Sequence, residues 1–68
     1  MEDNARQDIR RLLKSFGIQA DEAIMAHLAQ LPEGTVLQLR VTLEDVTDYG
    51  GNPPTNPLQL EIEGEVKG

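Results

Sequence analysis

Between Thr35 and Val66 aliphatic and polar residues alternate with a period of two, in two arms separated by a stretch that breaks strands. In the first arm Leu37, Leu39, Val41 and Leu43 alternate with Gln38, Arg40, Thr42 and Glu44. In the second, Leu58, Leu60, Ile62 and Val66 alternate with Gln59, Glu61, Glu63 and Glu65. Successive side chains of a strand point to opposite faces, so each arm has one apolar and one polar side. The intervening Thr47-Asp48-Tyr49-Gly50-Gly51-Asn52-Pro53-Pro54-Thr55-Asn56-Pro57 cannot continue a central strand, because proline donates no backbone hydrogen bond and the glycines favour turns. These features predict an antiparallel β-hairpin with strands over residues 35–46 and 58–66. Its register is left open between two solutions. One pairs Leu43 with Leu60 and Arg40 with Glu63, and the other, two residues along, pairs Leu43 with Leu58 and Arg40 with Glu61. Gly64 interrupts the second arm and reads as a candidate bulge.

An oily ribbon face needs a cover, and the preceding residues supply amphipathic material. Ile9, Leu12, Leu13 and Phe16 recur at helical spacing, with Asp3 or Asn4 as N-cap and Gly17 where a left-handed C-cap commonly sits. Ile24, Leu28 and Leu31 line a second helical face behind an Asp21 cap, and Pro32-Glu33-Gly34 forms a turn. The reading is a single α+β domain over residues 1–68, ordered α-α-β-β. Two short amphipathic helices, over residues 4–16 and 22–31, form a helical hairpin packed on one face of the β-hairpin. Leu39, central in its arm, is expected among the most buried residues.

Sixty-eight residues lie near the lower limit for folding on a hydrophobic core alone, and the chain has no cysteine to supply a disulfide, a thiolate nucleophile or a zinc-thiolate site. Met1-Glu2-Asp3-Asn4 does not open a signal peptide, and no apolar run approaches a membrane span, which points to a cytoplasmic protein. The formal net charge of −6 argues against nucleic acid as a partner, since that affinity depends on neutralising phosphates with Lys and Arg. The charge is unevenly distributed. Residues 1–20 hold four basic residues against three acidic ones, whereas residues 21–68 hold two against nine. Arg6, Arg10 and Lys14, spaced by four, form a basic stripe beside the apolar arc of the first helix.

Catalytic chemistry finds little material. His27 is the sole imidazole, at the margin of the second apolar face, where a partly buried structural role is the simplest reading. Ser15, His27 and scattered acids show no arrangement that would converge into a nucleophile and its base. The stretch Glu44–Asn52 offers hard oxygens close to glycines, as a calcium or magnesium loop does, but Asp45 and Asp48 are three apart and do not match the EF-hand spacing. Asp and Asn also cap turns without any metal. Gly50-Gly51 has no Walker lysine after it and opens no helix. Tyr49, one of two aromatic residues, can cover the end of the hairpin or project as a contact.

The sequence therefore points to a small non-catalytic protein-interaction module, or accessory subunit of a larger assembly, without cofactor or metal. The partner is a protein that the sequence does not identify, and a homodimer through an open hairpin edge is a second arrangement it allows. Arg6, Arg10, Lys14, Tyr49, Glu61 and Glu63 are the candidate contact residues. The alternative is a winged-helix-like nucleic-acid-binding domain, suggested by two helices followed by a long hairpin. Against it, the second helix carries Asp21, Glu22, Ala23, Ala26 and Gln30 where a DNA reader needs basic side chains.

Overall fold

The computed structural model describes residues 2–68. The element order is α-β-β: α1 over Glu2–Leu28, β1 over Val36–Glu44 and β2 over Gln59–Lys67. Residues up to Thr35 and residues from Val36 onward form two compact units.

The expected helical hairpin is replaced by one continuous helix of 27 residues, about 40 Å long at 1.5 Å per residue. Asp3 and Asn4 lie inside its first turn rather than capping it, and Asp3 places negative charge at the positive end of the helix dipole. Gly17 is not a C-cap, since among the described residues positive φ occurs at Gly34, Gly50 and Gly51 and not at Gly17. The energetic comparison is direct. A glycine within a helix costs roughly 1 kcal/mol relative to alanine. Ending the helix there and starting another would leave four carbonyls and four N–H groups in need of new partners. Ala20, Glu22, Ala23 and Ala26 favour continuation, and the Gln19 amide donates to the Ser15 hydroxyl at 3.2 Å, bridging the turn that contains Gly17. The apolar positions keep their phase across the glycine, because Ile9, Leu13, Phe16, Ala20, Ile24 and Leu28 follow one another at steps of four and three on a single stripe. The two-helix corner behind the winged-helix alternative is thus absent.

The helix ends where the hydrogen-bond spacing tightens. The Ala29 amide still reaches the Met25 carbonyl at 3.1 Å, but Gln30 and Leu31 donate only three residues back, to His27 at 3.0 Å and Leu28 at 3.1 Å. Pro32 then opens a turn in which both the amide and the hydroxyl of Thr35 donate to the Pro32 carbonyl, at 3.2 and 2.6 Å. Gly34 supplies the φ of +87° that a type II turn requires at its third position.

In the hairpin unit, β1 pairs antiparallel with β2 in the first of the two expected registers: Leu43 opposite Leu60, Val41 opposite Ile62, Arg40 opposite Glu63 and Leu37 opposite Val66. The ladder runs unbroken through Leu39 opposite Gly64, so Gly64 marks no bulge. One face carries Leu37, Leu39, Val41, Leu43, Leu60, Ile62 and Val66, and the other carries the polar set. The connecting segment turns at Tyr49–Asn52, where the Asn52 amide donates to the Tyr49 carbonyl at 3.2 Å. Gly50 and Gly51 take φ of +66° and +106° there, the left-handed pair that suits a primed turn.

Among the described residues no side chain is fully buried. Leu12 is 61% exposed, Phe16 48% and Ile62 56%, and Leu39 is half-buried rather than a core residue. His27 is exposed in the last turn of α1, not partly buried. No helix among the described residues is long and apolar enough to cross a membrane.

The continuity of α1 sets the sign of a simple substitution. A Cβ at Gly17 meets nothing within 4 Å, so Gly17→Ala should stabilise the helix by roughly 0.5–1 kcal/mol and raise its thermal midpoint by circular dichroism. A left-handed C-cap at Gly17 would give the opposite sign.

Candidate functional site

The polar face of the hairpin follows from parity. With Arg40 opposite Glu63, Glu61 falls one diagonal step away on the same face, within reach of a long side chain. The guanidinium takes both: Nε lies 2.7 Å from Glu61 Oε1, and Nη2 lies 3.0 Å from Glu63 Oε2. Further along, the Gln38 amide donates to Glu65 Oε1 at 3.4 Å. All three members of the ion-pair cluster are more than half exposed, so each contact contributes no more than about 1 kcal/mol. Their arrangement still matters: one arginine holds two of the three same-face glutamates of β2, which would otherwise repel.

Beyond β1 the loop is built on aspartate-capped turns. Asp45 Oδ1 accepts from the Thr47 amide at 2.9 Å, and Asp48 Oδ1 accepts from the Gly50 amide at 2.9 Å. The other Asp45 oxygen accepts a hydrogen bond from the Tyr49 hydroxyl. Tyr49 is therefore tied back to the foot of the loop. Hydrogen bonds from Thr47 and from the Tyr49 hydroxyl hold the Asp45 carboxyl below its ordinary 3.8. The Asp45 carboxylate in turn pushes the Tyr49 phenol above its ordinary 10.0, because it favours the protonated form.

On α1, Arg6, Arg10 and Lys14 are exposed, and none forms an ion pair with a described side chain. Arg11, further round the helix, meets Asp8 at 3.4 Å. The structure thus brings Glu61 and Glu63 together on Arg40, folds Tyr49 onto Asp45, and displays Arg6, Arg10 and Lys14 along one helix flank. The Asp45–Tyr49 contact was foreshadowed only by the Asp-x-Thr-x-Tyr spacing. Arg40 as the centre of a three-residue cluster was foreshadowed by its isolation among acids on the ribbon's polar face.

Ser15 and His27 share one helix and lie twelve positions apart, about 18 Å along the axis, so they cannot act on one atom. No group of three His, Cys, Asp or Glu side chains among the described residues could hold a metal ion. Within Glu44–Asn52, oxygens of Asp45 and Asp48 are engaged by the loop's own donors. A hollow of about 460 Å³ near the loop end of the strands is lined by Thr42, Leu43, Glu44, Gln59, Leu60 and Glu61. It contains two carboxylates and neither imidazole nor thiol. No family model matches the chain, and no curated protein or solved structure matches it.

The loop contact defines a pH window. A depressed Asp45 value means its stabilisation is present above the ordinary 3.8 and is lost as pH falls through the folded-state value. A raised Tyr49 value means its share is present below the ordinary 10.0 and is lost as pH rises through the folded-state value. Tyr49 is the sole tyrosine and there is no tryptophan, so near-ultraviolet absorbance titrates this phenol alone. Its midpoint should lie above 10.0 and return to about that value in Asp45→Asn. An ordinary midpoint in the unaltered chain would show that the contact does not form in solution.

Proposed function

We propose that the chain is a small non-catalytic protein-interaction module, an accessory part of a larger assembly. The observation that carries this reading is the exposure of apolar faces on both units: the α1 stripe through Ile9, Leu12, Leu13 and Phe16, and the hairpin face through Val41, Leu43, Leu60 and Ile62. Neither element is self-sufficient in water. A two-stranded hairpin alone is marginal, and an isolated helix draws most of its stability from packing its apolar face. Contiguous exposed apolar surface of this kind marks contact sites. In this reading Phe16 and its neighbours supply contact area. Arg6, Arg10 and Lys14, along the flank of the same stripe, steer an acidic partner. Tyr49, Glu61 and Glu63 lie on the loop and the polar side of the hairpin, where they govern which surfaces are rejected as much as which are accepted.

The test starts from the free chain. A dye that fluoresces on apolar surface should bind it and be displaced when a partner captured from native extract is added back in purified form. Phe16→Asp should weaken that complex at least tenfold with the secondary structure retained. Reversing Arg6, Arg10 and Lys14 to Glu should slow association at low salt, with the difference shrinking as salt is added. A free chain that binds no dye, and in which Phe16→Asp destabilises by several kcal/mol as a core substitution would, overturns the reading.

A further inference from the structure

A two-stranded ribbon has two unpaired edges, and on this hairpin they are not equivalent. Residues directly opposite each other in an antiparallel pair share a face of the sheet. A two-fold axis normal to the sheet therefore keeps the apolar faces of two copies on one side only when it passes through a residue position. For β2 joined to β2, an axis at Glu63 sets Glu63 against its own copy and Glu61 against Glu65. An axis at Ile62 sets Glu61 against Glu63, and one at Gly64 sets Glu63 against Glu65. Axes at Glu61 or Glu65 set each against itself. Each of these five central registers opposes like charges, which is destabilising, and axes at Leu60 or Val66 leave only three residues of each strand paired, so the β2 edge is guarded in the way natural edge strands are.

The β1 edge has no such guard. An axis at Leu39 places Arg40 against Gln38, Leu37 against Val41 and Val36 against Thr42. An axis at Val41 places Arg40 against Thr42, Leu39 against Leu43 and Gln38 against Glu44. Neither opposes like charges, as axes at Arg40 or at the terminal Glu44 would. The charge of Arg40 is moreover already engaged by Glu61 and Glu63 of its own hairpin.

We propose that a second copy of this chain adds along the free β1 edge, about a two-fold axis at Leu39 or Val41, giving a four-stranded sheet ordered β2-β1-β1-β2. This deepens the interaction-module reading and rests on it, with the strand edge as the contact and the chain itself as the partner. The contact is isologous and closes on itself, so it yields a dimer and not a fibre. It converts two marginal ribbons into one sheet with a continuous apolar face, above the three strands at which a sheet becomes independently stable. The guarded β2 strands form the outer edges of that sheet, where glutamates facing solvent oppose further addition.

The absence of cysteine lets single-cysteine variants report the contact. Opposite residues across an antiparallel pair lie about 4.5–5.5 Å apart at Cα, within disulfide range. In a glutathione redox buffer, Leu39→Cys or Val41→Cys should cross-link to a second copy, and Ile62→Cys should not. The double variant Gln38→Arg, Thr42→Arg separates the edge from the fold. Within its own hairpin each new arginine faces a glutamate, Glu65 and Glu61 respectively, while in either dimer register an arginine now opposes Arg40 of the second copy. In sedimentation equilibrium the unaltered chain should have twice the 7.5 kDa chain mass, and the double variant the single mass with its hairpin intact. Cross-linking through Ile62→Cys but not Leu39→Cys or Val41→Cys, or a double variant that remains dimeric, overturns the edge contact. A monomeric unaltered chain overturns it too. If that monomer still binds the apolar-surface dye, the interaction module survives without a self-partner, and if it does not, both fall.

Discussion

The ladder between β1 and β2 forms in one register, and that constraint places every side chain of the hairpin unit. Sliding the strands by two residues would keep apolar opposite apolar and Arg40 opposite an acid, Glu61 in place of Glu63. It would also bring Pro57 opposite Glu44, where a residue without an N–H interrupts the ladder, and would set Leu37 against Gly64 instead of Val66. In the observed register Pro57 lies outside the paired strands, and nine consecutive pairs form. Arg40 then lies between Glu61 and Glu63, and the turn that closes the strands falls on the two glycines able to adopt left-handed backbone.

The polar face of the ribbon is more than a solubilising surface. Its charges are distributed unevenly by strand: β2 carries three glutamates and the terminal Lys67, while β1 carries Arg40 at the centre of the ladder and Glu44 at its end. That asymmetry lowers repulsion within the hairpin, since Arg40 engages two of the acids. It also makes the two edges unequal toward any added strand, because β2 meets a copy of itself with glutamate on glutamate. Specificity of this kind comes from what is repelled as well as from what is attracted. The Asp45–Tyr49 contact adds local order at the foot of the loop, through hydrogen bonds that are strongest while the carboxyl is ionised and the phenol is protonated.

On α1 the same physics operates at a different period. The stripe from Ile9 to Leu28 keeps its phase across Gly17, and a helix interrupted there would have to satisfy eight backbone groups to avoid a penalty of about 1 kcal/mol. The outcome is a long amphipathic surface with a basic flank at Arg6, Arg10 and Lys14. Ser15 and His27 are held apart on it, about 18 Å along the axis.

Legible in the sequence alone were the period-two faces of both strands, the break between them within Thr47–Pro57 and the pairing of Arg40 with a cross-strand acid, because strand parity and the backbone preferences of proline and glycine act over a few residues. The sequence also showed the charge split, which is a property of composition. It misplaced the helix boundary at Gly17, since a glycine and an acidic pair resemble a cap until the phase of the apolar stripe is followed through them. The choice of register, the capture of both Glu61 and Glu63 by Arg40, and the tying of Tyr49 to Asp45 were decided only by tertiary structure. Each depends on which residues meet across tens of positions or around a turn, and local propensity carries no information about such meetings. The same holds for burial. Periodicity marked Leu39 and Phe16 as apolar-face residues, but whether a face is covered depends on what lies against it, and only the three-dimensional structure shows them half-buried and exposed.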